Sequence, residues 1–165
     1  MAFTLTVRAP VVFVSWRGFS ADDLRMVCEQ IASVRHGGRE PAVYVSRIPA
    51  SSYVFSDAEQ RLLQGFLLKI LPDCASIHHV VEGDGFIRSA RIATANNLAR
   101  STPRPRAFHT HATVEAAARV VKSLCAVEID DLRPPPPGAP SERADKAFRE
   151  AGKLAEGPPP STGRR

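Results

Sequence analysis

The stretch Val11-Val-Phe-Val-Ser-Trp16 is followed, three residues on, by Ser20-Ala-Asp-Asp-Leu24. The first is a nearly continuous apolar run, the pattern of a strand covered on both faces. The second is a helix start. Ser20 offers an oxygen to an unpaired backbone N–H, and Asp22 and Asp23 suit the positive end of the helix dipole. A doubly covered strand leading into a helix is the building unit of a parallel α/β sheet. Leu24, Val27, Cys28, Ile31 and Val34 then recur on one helical face, and His36-Gly-Gly38 ends the helix.

Upstream, Phe3–Arg8 alternates apolar and polar residues, and Arg8-Ala-Pro10 is short enough for a hairpin, so this strand is expected to pair antiparallel with the next. Downstream, Ala42–Ser46 reads as the third strand. Ser56-Asp-Ala-Glu59 is a capping box that opens a helix with Leu62, Leu63, Phe66, Leu67 and Ile70 inward, stopped by Pro72. Ser76–Val81 is the fourth strand, and Gly83-Asp-Gly85 turns the chain into a third helix over Phe86–Arg100 with a less regular apolar face. Pro105–Thr110 reads as the fifth strand. Thr113 caps a last helix with Val114, Ala117, Ala118, Val121 and Leu124 inward. The order β-β-α-β-α-β-α-β-α predicts an α/β fold. Its sheet is five-stranded and mostly parallel, with an antiparallel N-terminal hairpin strand, right-handed crossovers and helices packed on the sheet.

The composition fits one domain with a substantial core: 165 residues, 44% hydrophobic and 24% charged. No run approaches the ~18 apolar residues of a membrane span. Met1–Arg8 lacks the pattern of a secretory leader. Cys28, Cys74 and Cys125 are odd in number and widely spaced, which fits neither a disulfide framework nor a zinc site and suggests a reducing cytoplasm. Residues 1–132 carry 15 basic and 13 acidic side chains, against 7 and 4 in residues 133–165. The fold is thus near neutral, which argues against a specific nucleic-acid partner. Eight of the fourteen prolines lie in 133–165. The expected organisation is a domain over 1–132 and a disordered, Pro-rich tail over 133–165 with a short helix at 141–155.

Several segments carry a family resemblance. Val11–Trp16, Gly18 and Ser20-Ala-Asp-Asp-Leu24 are followed by Ala42–Ile48, Ser56-Asp-Ala-Glu-Gln-Arg61, Ile77–Val81 with Gly83, and Pro105-Arg-Ala-Phe108 before Thr113-Val-Glu-Ala-Ala117. Over residues 3–126 this succession resembles the STAS domains of bacterial anti-sigma-factor antagonists, and their divergent STAS-like or SEC14-like branch. The resemblance implies a non-enzymatic bacterial regulatory or adaptor domain acting through protein–protein contact in signalling or transcription control. Its partner would be another protein, a kinase or an anti-sigma-like regulator. The SEC14-like side implies the alternative, a small-ligand- or lipid-responsive module. The antagonists carry an Asp-Ser-Xaa-Gly-like segment whose serine is phosphorylated at the start of the second helix. Here Val54-Phe-Ser-Asp-Ala-Glu59 keeps the serine but lacks the glycine.

Ser56 is therefore the candidate phosphosite, since phosphate at a helix N-terminus meets free N–H groups; set against this, the capping box alone accounts for both Ser56 and Glu59. Tyr53, Val54, Ser56 and Asp57 form the candidate partner-binding segment, with Tyr53 as an aromatic anchor. Gly83, Gly85, Arg88 and Arg91 form a candidate anion-binding loop, set against a simple glycine turn. Arg88, Arg91, Arg100, Arg104 and Arg106 concentrate positive charge that reads as a solvated face. His109 and His111 share a strand face, whereas His78 and His79 point to opposite faces, so these are read as structural histidines and no metal is assigned. Cys28 and Cys125 lack a base and an orienting group, so no catalytic residue and no cofactor is assigned.

Overall fold

The computed structural model describes residues 3–38, 40–51 and 55–127, and all of these lie in one compact unit. The expected tail and its helix at 141–155 fall outside the described residues. The elements are β1 (Phe3–Arg8), β2 (Val11–Trp16), α1 (Ala21–Gly37), β3 (Ala42–Ile48) and α2 (Asp57–Ile70), followed by β4 (Cys74–Val81), α3 (Gly85–Arg100), β5 (Phe108–His111) and α4 (Val114–Cys125). Short 3-10 turns at Leu71–Asp73 and Pro105–Ala107 precede β4 and β5.

The five strands lie in sequence order, β1-β2-β3-β4-β5. β1 pairs antiparallel with β2, Phe3 opposite Trp16, and every later pair is parallel. This is the mixed α/β sheet the sequence predicts. All six residues of β2 are buried, because helices cover both faces of the sheet. On one face Val12, Val14, Trp16, Tyr44 and Ile77 pack with Leu24, Val27 and Ile31 of α1 and Phe66, Leu67 and Ile70 of α2. On the other, Val11, Phe13, Val43, Val45 and Val80 pack with Ala117 and Val121 of α4. α3 lies against α2, β4 and β5.

Four local expectations are corrected. Leu62 is 45% exposed, because α2 seats its last two turns on the sheet through Phe66, Leu67 and Ile70. Leu124 is 56% exposed, because the buried stripe of α4 runs from Val121 to Cys125, whose thiol reaches the Val121 carbonyl at 3.2 Å. Pro105 has no N–H to give a strand ladder, so Pro105–Ala107 winds into a 3-10 turn and β5 is only four residues long. β4 begins at Cys74, which is buried.

Ile77 sits in the sheet centre and is fully buried. Ile77→Ala is expected to cost about 2–5 kcal/mol in a urea titration, the range for such truncations in a close-packed core. Since the two cores share one sheet, Trp16 fluorescence and far-UV circular dichroism should report a single coincident transition.

Candidate functional site

The parallel register of β3 and β4 sets Ser46 opposite His79 and Tyr44 opposite Ile77. With period-two alternation, Tyr44, Ser46 and His79 all face the side covered by α1, α2 and α3. Two polar side chains thus stand at interior positions of adjacent strands. Ser46 Oγ lies 3.0 Å from His79 Nδ1, and Trp16 Nε1 donates to the Tyr44 hydroxyl at 3.1 Å. Tyr44 is fully buried, and burial raises its phenol well above the ordinary value.

α3 lies above these groups without filling the space. Its buried positions are Arg91, Ala95 and Ala99, spaced four apart on one face. Two alanines leave room that leucines would occupy, and a cavity of about 40 Å³ results. That is several times the ~10–15 Å³ a single water needs. Ser46, His79, Arg91 and Ala95 line it with Trp16, Tyr44 and Phe66, while Phe19, Phe55, Leu63, Thr94 and Leu98 form its half-buried rim. Phe19 packs edge-on against Trp16 and Phe55, with ring centroids 6.0 and 5.3 Å apart.

The charged member of this lining is 4% exposed. Arg91 Nη1 donates to the carbonyls of Pro49 and Ala50 at 3.2 and 3.4 Å, and Nη2 to Ala50 at 3.4 Å. Its Nε has no partner among the described residues, and neither has His79 Nε2; both atoms are buried. Burial pushes the His79 imidazole down to about 4, so it stays neutral near pH 7.

The opposite face carries a separate histidine cluster. The pairing of β4 with β5 brings His78 beside His109, and the rings of His78, His109 and His111 stack. His78 Nε2 lies 3.0 Å from Ser76 Oγ and its Nδ1 2.9 Å from His111 Nε2. The chain Ser76–His78–His111 has the connectivity of a nucleophile, a base and an orienting group. Burial, reinforced by His109 and His111, drives His78 down to about 3, too low for a base working near neutrality. Among the described residues no group of histidine, cysteine and carboxylate side chains is arranged to hold a metal ion.

The sequence candidates are dispersed. Ser56 and Asp57 are exposed at the start of α2. Ser56 Oγ accepts from the Glu59 N–H at 3.3 Å while Glu59 Oε2 accepts from the Ser56 N–H at 2.8 Å, which completes the capping box. Tyr53 and Val54 lie outside the described residues. Gly83 and Gly85 hold φ of +102° and +60°, conformations that suit glycine in the turn before α3. Arg88 Nε donates to the Val81 carbonyl at 3.2 Å, whereas Arg91 turns into the cavity, so the loop and its two arginines do not converge on one point. The arginines also depart from a solvated face: Arg91 is buried, and Arg104 clamps the carbonyls of Leu71, Cys74 and Ala75. Cys74 is pushed up to about 12 by burial and lies outside the cavity. Ser46, His79 and Trp16 were not singled out as site residues. The signal that marks them is a polar residue at an interior strand position, at the same level in two neighbouring strands. No family model, curated protein or solved structure matches this chain.

Two outcomes follow. Ser56→Ala should cost about 0.5–2 kcal/mol in chemical denaturation, while Ser56→Asp, which also caps, should cost little. Acid should weaken the fold through His78 and His79. Their folded values lie near 3 and 4, whereas the unfolded chain takes up protons near pH 6.5. Between these limits the unfolded state binds more protons, so stability falls as pH drops below about 6.5. Each buried histidine should remove about 2 kcal/mol between pH 7 and pH 5, at ~1.4 kcal/mol per unit. Urea titrations at the two pH values check this, and His79→Gln should flatten the dependence by about half.

Proposed function

We propose that this domain is a non-enzymatic regulatory module that takes a small ligand into the cavity between β3–β4 and α2–α3. The observation that carries this reading is that Arg91 and His79, two of the residues lining one cavity, each keep a buried polar atom, Nε and Nε2, without a partner among the described residues. An unmet buried polar group costs on the order of 1–3 kcal/mol, and more when charged. A fold that retains two of them at one apolar hollow has the composition of a ligand site: mostly hydrophobic walls and a few convergent polar atoms. Catalysis is less well supported. Ser46 and His79 touch, but nothing among the described residues orients the ring through Nε2, and burial holds the imidazole near 4.

The regulatory half of the reading rests on α3. It carries Arg91 inward, and at its start presents Phe86 and Ile87 at 86% and 53% exposure. Exposed apolar pairs of this kind suit a protein contact. A ligand gripped by Arg91 would bias the placement of that same helix.

Trp16 is the protein's single tryptophan and lines the cavity, so its fluorescence reports occupancy. The full chain should respond saturably to members of a panel of small acids, amides, alcohols and hydrocarbons of up to about four heavy atoms, the scale of a 40 Å³ hollow. Ala95→Leu, which fills the cavity from α3, should weaken that response at least tenfold without lowering Tm. Saturation should also shift the backbone amide resonances of Phe86 and Ile87. A panel with no saturable member, or binding indifferent to Ala95→Leu, would defeat the proposal.

A further inference from the structure

The sheet has two edges, β1 and β5, and they are defended differently. A free edge carries a row of backbone N–H and C=O groups ready to pair with another chain, and folds guard it with short strands, prolines, bulges or charges. β5 is guarded: it is four residues long, follows the Pro105–Ala107 turn and sets two histidines on one face. β1 is not. Its six residues, Phe3–Arg8, pair with β2 in unbroken register, contain no proline, and hold a single charged side chain, Arg8, at the end. No strand among the described residues pairs with its outer side.

The sequence of this edge is symmetric. Phe3-Thr-Leu-Thr-Val7 reads apolar, threonine, apolar, threonine, apolar in both directions about Leu5. By alternation the three apolar residues share the face covered by α1. Phe3 is buried there, Leu5 packs against the same core half-buried, and Val7 is left 38% exposed. Thr4 and Thr6 point to the other face, on which α4 sits over β3, β4 and β5.

We propose that the outer edge of β1 pairs antiparallel with β1 of a second copy of this chain, joining two five-stranded sheets into one across a two-fold axis at Leu5. The inference stands apart from the reading of the cavity. A two-fold contact needs a surface complementary to itself, and this strand meets that need residue by residue. Phe3 comes opposite Val7 of the second copy and Leu5 opposite its own counterpart, so the apolar face continues across the junction and Val7 is covered. On the other face Thr4 meets Thr6 of the second copy, a cross-strand pair that hydroxyl hydrogen bonding favours. Charge agrees as well. The two Arg8 side chains stand at opposite ends of the junction, about 20 Å apart at ~3.3 Å per residue, which is about two Debye lengths at physiological salt.

Sedimentation of the full chain over a dilution series at pH 7 tests this. A reversible shift between one and two times the 17.9 kDa chain mass is expected. Thr4→Glu with Thr6→Glu sets like charges opposite each other and should weaken the dimer at least tenfold. Thr4→Lys with Thr6→Glu sets opposite charges across the same pairs and should keep the dissociation constant within threefold of the unaltered chain. A junction that brings position 4 of one copy against position 6 of the other separates the two variants in this way. If either variant does not fold, hydrogen exchange of the unaltered chain decides: exchange in Phe3–Arg8 should slow as concentration rises through the dimer range, with β5 unchanged. A chain still monomeric at about 1 mM would overturn the proposal. So would a dimer weakened equally by both variants or by neither, or exchange in β1 that is indifferent to association.

Discussion

A sheet covered by helices on both faces has no solvent to offer the side chains of its central strands. In β2, β3 and β4 every interior polar group must therefore find a partner inside the protein or carry the cost of going without. The described structure can be followed as the working-out of that constraint. Trp16 meets Tyr44, Ser46 meets His79, and Ser76 and His111 both meet His78. At the end of the sheet, Arg47 and Glu82 form a two-pronged ion pair with contacts of 2.7 and 2.9 Å. Against this background of matched groups, Nε of Arg91 and Nε2 of His79 stand out: both lack a partner among the described residues, and both side chains border one hollow.

The hollow has a simple origin in α3. The inward faces of α1 and α2 bring leucine, isoleucine, valine and phenylalanine to the sheet, and α4 brings Val121. α3 brings Arg91, Ala95 and Ala99. A helix with so little apolar bulk gains little from burial, at roughly 25 cal/mol per Å² of apolar surface removed from water. Its position is held instead by polar ties: Arg88 to the Val81 carbonyl, and Arg91 to Pro49 and Ala50. A helix with two alanines among its three buried positions can adjust to an occupant at lower cost than α1 or α2 could.

The element order was legible from the sequence because periodicity and caps agree with it. Ser20 with Asp23 and Ser56 with Glu59 form the boxes their spacing announces, and the six residues of Val11–Trp16 are buried as their composition implies. Helix faces were less legible. Leu62 and Leu124 lie near apolar stripes by count, yet which turn of a helix meets the sheet depends on where the neighbouring strands place it. The site was hardest. Arg91 counts as one more surface arginine until one sees that the positions four and eight further on are both alanine. Ser46 and His79 become a pair only through the β3–β4 register, which no local pattern encodes.

The adjacent residues His78 and His79 show why the α3 face, and not the α4 face, carries the proposed chemistry. Successive strand positions point to opposite sides, so the two imidazoles enter different environments one residue apart. His78 uses both ring nitrogens, one on Ser76 and one on His111, and its neighbours carry that chain toward the half-buried edge at β5. Its hydrogen-bonding capacity is spent, and a ligand there would have to displace an existing bond. His79 spends one nitrogen on Ser46, and its other nitrogen has no partner among the described residues. Binding gains most where a donor need surrender nothing to reach a new acceptor, because the desolvation cost has already been met in folding. By that measure the two faces differ in kind. The histidine cluster beneath α4 is closed on itself, whereas the hollow beneath α3 is bordered by two side chains that each keep a polar atom without a partner among the described residues.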